Sequence, residues 1–270
     1  MNFIIFGTGR TGSKILNTYL HQQKEIYSFG EIFNKNKDLY IEKQFDTVRD
    51  NLIHEINKNH GQIDLNAFKI KHPEILLNLF AKYSTKQICG FKLFFSHLQK
   101  THNASNLNLI DFAINNKTKF IILNRRNIFL NYLSTRKAFI SRVYNMSINF
   151  PERNDDIKIY INPNDYKTWK NNISNSYSKW EELFINHNIP FTKICYEDII
   201  GPNKKQEKER IYKFIAGDNV IPIEKHMVYL QQNIYTLKHQ IENYEEVCKA
   251  LKDDPDFTDA LEQDIGKIGL

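Results

Sequence analysis

The chain is poor in the residues that build disulfide scaffolds, collagen-like repeats and membrane spans. Cysteine occurs three times in 270 residues, as Cys89, Cys195 and Cys248, far apart and odd in number. That pattern implies no disulfide framework and lacks the paired spacing of a zinc site, so a reducing, cytoplasmic compartment is the expected setting. Ten glycines and seven prolines exclude a collagen-like or low-complexity chain. No apolar run approaches the roughly 18–20 residues that a membrane helix needs. The first apolar run, residues 2–6, stops at Gly7 with no basic segment before it and no small-residue cleavage site after it, so no signal peptide is expected.

Neither sign of charge dominates. Thirty-seven basic residues against 31 acidic ones leave +6, with a pI near 9.0. A basic excess suits nucleotides, nucleic acid, sulfated or phosphorylated small molecules, or a membrane surface, and does not choose among them. Apolar residues make up 41% of the chain, enough for a sizeable core. The length allows one large α/β domain or two small ones.

Short apolar runs alternate with helical patterns. Residues 2–6 (NFIIF), 87–95 (QICGFKLFF), 119–123 (KFIIL) and 191–196 (FTKICY) read as strands. Helical spacing recurs over 13–23, 106–115, 128–144, 166–186, 207–215 and 236–251. Trp169 and Trp180 fall on the apolar stripe of the 166–186 helix and read as core. Residues 27–30 form a poor strand, 35–66 hold helices of modest amphipathicity, and 145–165 is polar enough to be a loop or lid. The alternation predicts one α/β domain over residues 1–270, with a mostly parallel central sheet flanked by helices.

The most informative stretch is Gly7-Thr8-Gly9-Arg10-Thr11-Gly12-Ser13-Lys14, between the first strand and the first helix. Backbone N–H groups and the helix dipole favour an anion there. As G-x-G-x-x-G it matches a dinucleotide fingerprint through Gly7, Gly9 and Gly12, with Glu31 about where a ribose-binding acid belongs. As a Walker A loop it has the right glycines but Ser13-Lys14 in inverted order. A third reading is a sulfonucleotide loop of the GRTGS kind. A tight turn with no ligand is the fourth, weakened by three donors at Arg10, Ser13 and Lys14.

A Walker loop needs a strand-end carboxylate for magnesium. The 119–123 strand runs instead into Asn124-Arg125-Arg126, and Ser134 follows eight residues beyond Arg126. An arginine at a strand end and a hydroxyl two turns into the next helix can grip one phosphate together. Taken alone, Arg125 and Arg126 also read as solvated loop charges, and Ser134 as a helix-surface residue.

These segments, FGTGRTGSKILNTYL and KFIILNRRNIFLNYLSTRKA, resemble the two nucleotide motifs of sulfotransferases that use 3′-phosphoadenosine-5′-phosphosulfate (PAPS). The similarity is greatest to bacterial carbohydrate sulfotransferases of the nodulation-factor and trehalose-sulfating type. It extends through GFKLFF, ICYEDI, IYKFIAG and YTLKHQIENYEEVCKAL. It implies a P-loop-like sulfotransferase fold and sulfuryl transfer from PAPS to a hydroxyl of a carbohydrate or glycolipid, without a metal.

Carried over residue by residue, Gly9, Arg10, Thr11, Gly12, Ser13 and Lys14 hold the 5′-phosphosulfate, with Arg10 stabilising transferred charge. Arg126 and Ser134 hold the 3′-phosphate, with Arg125 a possible substitute. Glu31 takes the place of a glutamate general base, although the proline that often precedes it is missing. Where this branch often has a Lys-Gln pair, the chain has Gln231-Gln232. Lys92 can approach the sulfonate or the acceptor, and His72, His97 and His102 are acceptor-side candidates by loop position. The implied partners are a small-molecule or glycan acceptor and peripheral contact with a glycolipid-bearing membrane, but not nucleic acid. Two other classes stay open: a nucleotide kinase-like P-loop protein, and a polyanion-binding module that would need a basic stripe with interleaved aromatics.

Overall fold

A computed structural model of the chain describes residues 1–34, 46–61, 64–84, 86–98, 108–141, 157–217, 222 and 236–268. The elements run β1 (Phe3–Gly7), α1 (Ser13–His21), β2 (Ile26–Ser28), α2 (Asp46–His60), α3 (Leu65–Lys71), α4 (Pro73–Tyr83), β3 (Ile88–Phe94) and α5 (Leu109–Asn115). They continue with β4 (Lys119–Asn124), α6 (Ile128–Ser141), α7 (Pro163–Asn186), β5 (Phe191–Cys195), α8 (Tyr196–Ile200), α9 (Lys204–Ala216), α10 (Leu237–Gln240), α11 (Tyr244–Ala250) and α12 (Pro255–Ile268). The chain divides into two compact units, Met1–Asn124 with Ser178–Lys225, and Arg125–Tyr177 with His226–Leu270.

The first unit is an α/β sheet. Its five strands are all parallel, in the order β2-β3-β1-β4-β5. Central β1 (FIIFG) is buried at every position, the continuous apolar run expected of a parallel strand covered on both faces. Phe6 anchors one face, its ring 5.1 Å from Trp180, 4.9 Å from Phe95 and 5.6 Å from Phe120. Truncating such a fully buried ring costs about 3–5 kcal/mol. Leu16, Tyr19 and Leu20 bury the inner side of α1, which packs on β2 and β3. The 3₁₀ turn Phe95–Leu98 follows β3 directly.

Residues 26–28 are a true strand, contrary to the weak pattern of 27–30. They pair with Ile88, Cys89 and Gly90, and Phe29 N–H extends the ladder to the Gly90 carbonyl at 2.9 Å. Tertiary pairing outweighs the serine and glycine in the segment.

The second unit packs α6 against α12 around Phe129, Tyr166, Phe257 and Leu237. The single helix expected over 236–251 is broken. Ile241 bridges in parallel to Ile159, and the Asn243 side chain both accepts from Ile161 N–H and donates to Ile161 O, each at 2.9 Å. These bonds take the backbone out of the helical ladder between α10 and α11. The loop or lid expected at 145–165 is described only over 157–165. Of that segment 145–156 lies outside the described residues, Ile159 and Ile161 are fully buried, and Pro163–Asp165 opens α7.

Beneath α6, Lys170 pairs with Asp254 at 2.8 Å and Asp256 at 2.5 Å, and Tyr166 donates to Asp254 at 3.0 Å. Burial would raise the Asp254 carboxyl, but Lys170, the Phe257 N–H and the Tyr166 phenol hold it below its ordinary value. Burial likewise opposes the Lys170 ammonium, and the two carboxylates outweigh it and push its pKa up.

Candidate functional site

In an open parallel sheet, ligands bind outside the carboxyl ends of the strands. The glycine loop leaves β1 at that edge. Thr11 is buried and ties the loop together by donating to the Thr8 carbonyl at 2.9 Å. Arg10 and Gly12 both have left-handed backbones, with φ 62° and 75°. Turns of this hand aim successive N–H groups into a concavity that takes anions. Arg10 holds the conformation without glycine's freedom, at a cost of roughly 1–2 kcal/mol. Strain kept in this way concentrates at functional sites.

Gly12 is the N-cap residue of α1. A glycine has no side chain to cap that end, and no acidic residue lies in its first turn. The first turn of α1 therefore has no acidic residue of its own to offset the partial positive charge of the helix N-terminus. Ser13 is buried at 7% exposure. Its hydroxyl has no bonding partner among the described residues, and Lys14 has no partnered carboxylate among them. Gly9 is needed neither for a positive φ nor by neighbours, because a Cβ there would meet nothing within 4 Å. Its open side is where a ligand can approach the backbone.

Beside the loop stands a polar cluster that the sequence signalled only in part. Lys92 pairs in register with Ile5 of β1 and is buried at 3% exposure. Its ammonium donates to Glu31 Oε1 at 3.1 Å, and Asn34 donates to Oε2 at 3.0 Å. Lys92 N–H reaches the Gly30 carbonyl at 2.8 Å and pins the segment that carries Glu31. Burial alone would raise the Glu31 pKa. The Lys92 ammonium outweighs it, helped by His97 and the Asn34 amide, and holds the carboxyl below its usual range. His97 is buried, and its Nδ1 accepts from Phe94 N–H at 3.3 Å.

Asn17 and Ser28 were not foreseen. Asn17 lies one turn beyond Ser13 on the same side of α1. It is fully buried and accepts from Ser28 Oγ at 2.6 Å, while its Nδ2 has no partner among the described residues. An unpaired buried donor costs about 1–3 kcal/mol. Its sequence signal was a polar residue on the apolar side of a helix.

In the second unit, Ser134 is buried in mid-α6 and is not the helix-surface residue of the blander reading. Arg125 folds back on its own helix, donating to the Leu130 carbonyl at 3.3 Å, whereas Arg126 is exposed. The N-terminus of α6 is already satisfied. Asn127 accepts from Leu130 N–H at 2.8 Å and Asp256 accepts from Ile128 N–H at 3.1 Å. His72 is exposed and stacks 6.0 Å from His60. His102, Gln231 and Gln232 lie outside the described residues.

Compared with protein-family models, with curated proteins and with solved structures, the chain matches none. The strand order bears on the loop's alternatives. A dinucleotide fold places its second strand beside the first, but here β3 separates β2 from β1. Glu31, beyond β2, is held by Lys92 two strand positions from the loop's own strand. A Walker-type carboxylate is also missing from the neighbouring strand ends, which are Phe94 and Asn124. No helix among the described residues is long and apolar enough to cross a membrane.

Proposed function

We propose that the chain is a sulfotransferase that moves the sulfuryl group of PAPS to a hydroxyl of a carbohydrate or glycolipid. The observation that carries this reading is the N-terminus of α1, entered through left-handed Arg10 and Gly12 and with no acidic residue in its first turn. The GRTGS loop and the later Arg126–Ser134 spacing supply the choice of nucleotide.

In the reaction a bond forms between the acceptor oxygen and sulfur. The bond from sulfur to the 5′-phosphate oxygen breaks, releasing 3′,5′-ADP. Loop N–H groups, Ser13 and Arg10 stabilise the charge that grows on the leaving oxygen. Glu31 takes the acceptor's proton, a role typically worth about 10²–10⁴-fold. Lys92 keeps the carboxylate ionised and aimed, at the expense of some basicity. Arg126 and Ser134 are assigned to the 3′-phosphate by resemblance, and Arg125 is better read as a strut of α6. The three cysteines, none of them in a disulfide, suit a cytoplasmic working place.

The test is incubation with ³⁵S-labelled PAPS and a panel of glycans and glycolipids. Label transferred to an acceptor and lost in Arg10→Ala is the expected result. Absence of transfer, with a thermal shift by ATP and magnesium only, returns the kinase-like reading.

A further inference from the structure

The loop's key residue is also its least constrained. Gly12 is left-handed (φ 75°, ψ 15°) and opens α1, where its carbonyl accepts from Ile15 N–H at 2.9 Å and Leu16 N–H at 3.3 Å. Glycine visits other backbone regions at little cost, so these bonds fix its carbonyl side only. On the other side lies the ring of Tyr196. A Cβ on Gly12 would come within 3.1 Å of Tyr196 Cε2 and closer still to Cδ2. The ring therefore lies directly against the Gly12 Cα.

Tyr196 is itself well anchored. It opens α8 immediately after β5, and a reciprocal cap fixes that turn, with Asp198 accepting from Cys195 N–H at 3.3 Å. Helix α8 packs against α1. We infer that Tyr196 is a positioning residue for the anion loop, its ring holding Gly12 in the left-handed conformation so that the first N–H groups of α1 stay aimed at the bound group. This deepens the proposed function and rests on the loop's taking the nucleotide's 5′ end. It asks nothing of the phenol oxygen, only of the ring.

The experiment uses the full chain and 3′,5′-ADP as probe, with calorimetry for affinity and amide hydrogen exchange for the loop. Tyr196→Ala is expected to weaken 3′,5′-ADP roughly five- to thirtyfold, the factor for fixing one residue's backbone on binding. It should speed exchange at Gly12–Lys14 and leave β1 unchanged. Tyr196→Phe should restore both. Gly12→Ala should be strongly damaging in the wild type and less so in Tyr196→Ala, because the ring that its methyl would strike is gone.

Additive losses in that cycle, loss in Tyr196→Phe equal to that in Tyr196→Ala, or faster exchange throughout the sheet would overturn the inference. Wild-type protein that fails to bind 3′,5′-ADP refutes the nucleotide. The exchange pattern then still decides Tyr196 by itself.

Discussion

Replacing Arg10 by glycine should separate stability from function. Arginine held at φ 62° pays roughly 1–2 kcal/mol for the left-handed backbone. Glycine escapes that cost and gives back about 0.5–1 kcal/mol through the freedom of the unfolded chain. The fair comparison is Arg10→Gly against Arg10→Ala, since both remove the side chain and only alanine keeps the strain. The difference is a gain of up to about 1.5 kcal/mol for glycine, or up to a few degrees in Tm for a chain of this size. Function should fall equally in both. Loss of a charged hydrogen bond to the nucleotide costs about 1.5–3 kcal/mol, which is about 10- to 150-fold in affinity for 3′,5′-ADP. Differential scanning calorimetry and titration of the two purified variants read these quantities. An alanine variant that melts at or above the glycine variant would show that Arg10 is not strained. A glycine variant with wild-type affinity would remove the guanidinium from the site.

Arg126→Ala should weaken 3′,5′-ADP by about 1.5–3 kcal/mol while 5′-AMP binds as before, and equal loss for both nucleotides would place the 3′-phosphate elsewhere. Glu31→Gln should slow transfer by about 10²-fold or more with 3′,5′-ADP affinity kept within a few-fold; near wild-type turnover with chemistry rate-limiting would dismiss it as base. Because Glu31 is held below its usual range by Lys92, kcat/KM of the wild type should show no acid limb above about pH 5. Lys92→Met removes the strongest of the groups that oppose burial, so the limb should move up into the measurable range. Lys170→Met leaves Asp254 and Asp256 without their cation and should destabilise the chain by about 1.5–3 kcal/mol in denaturant titration. Asp254 is lowered in the folded state, so its share is complete above the ordinary aspartate value and is lost as pH falls through the lowered one. Lys170 is raised, so its share is complete below the ordinary lysine value and is lost only as pH rises through the raised one. The wild-type advantage should therefore be level from about pH 5 to 9 and shrink towards pH 3.

The sheet was readable because β1, β3 and β4 are rich in isoleucine, leucine and phenylalanine and too short for helices, and because β5 (FTKIC) is a short segment set off by Pro190. Strand β2 was not, since Ile26–Ser28 is made a strand by the partner it finds on β3. The break between α10 and α11 was hidden for a similar reason. Ile241 and Asn243 keep helical spacing while their bonds go to Ile159 and Ile161, distant in sequence. Within the candidate site, Arg10, Gly12, Ser13 and Lys14 were legible from the strand–glycine–helix order, which favours an anion at the start of the helix. Glu31 was legible only as a lone acid. That Lys92 is its partner depends on the β2–β3 register, which no local pattern carries. Tyr196 against Gly12 is further removed, because it joins the start of the first helix to the end of the last strand.

Titration calorimetry of the wild-type chain with 3′,5′-ADP, 5′-AMP and ATP, each with EDTA and with magnesium, tests the central claim most directly. The account predicts that 3′,5′-ADP binds at least tenfold more tightly than 5′-AMP, unaffected by EDTA, and that ATP binds weakly with or without magnesium. Tight binding of magnesium–ATP, or equal affinity for 5′-AMP and 3′,5′-ADP, would contradict it.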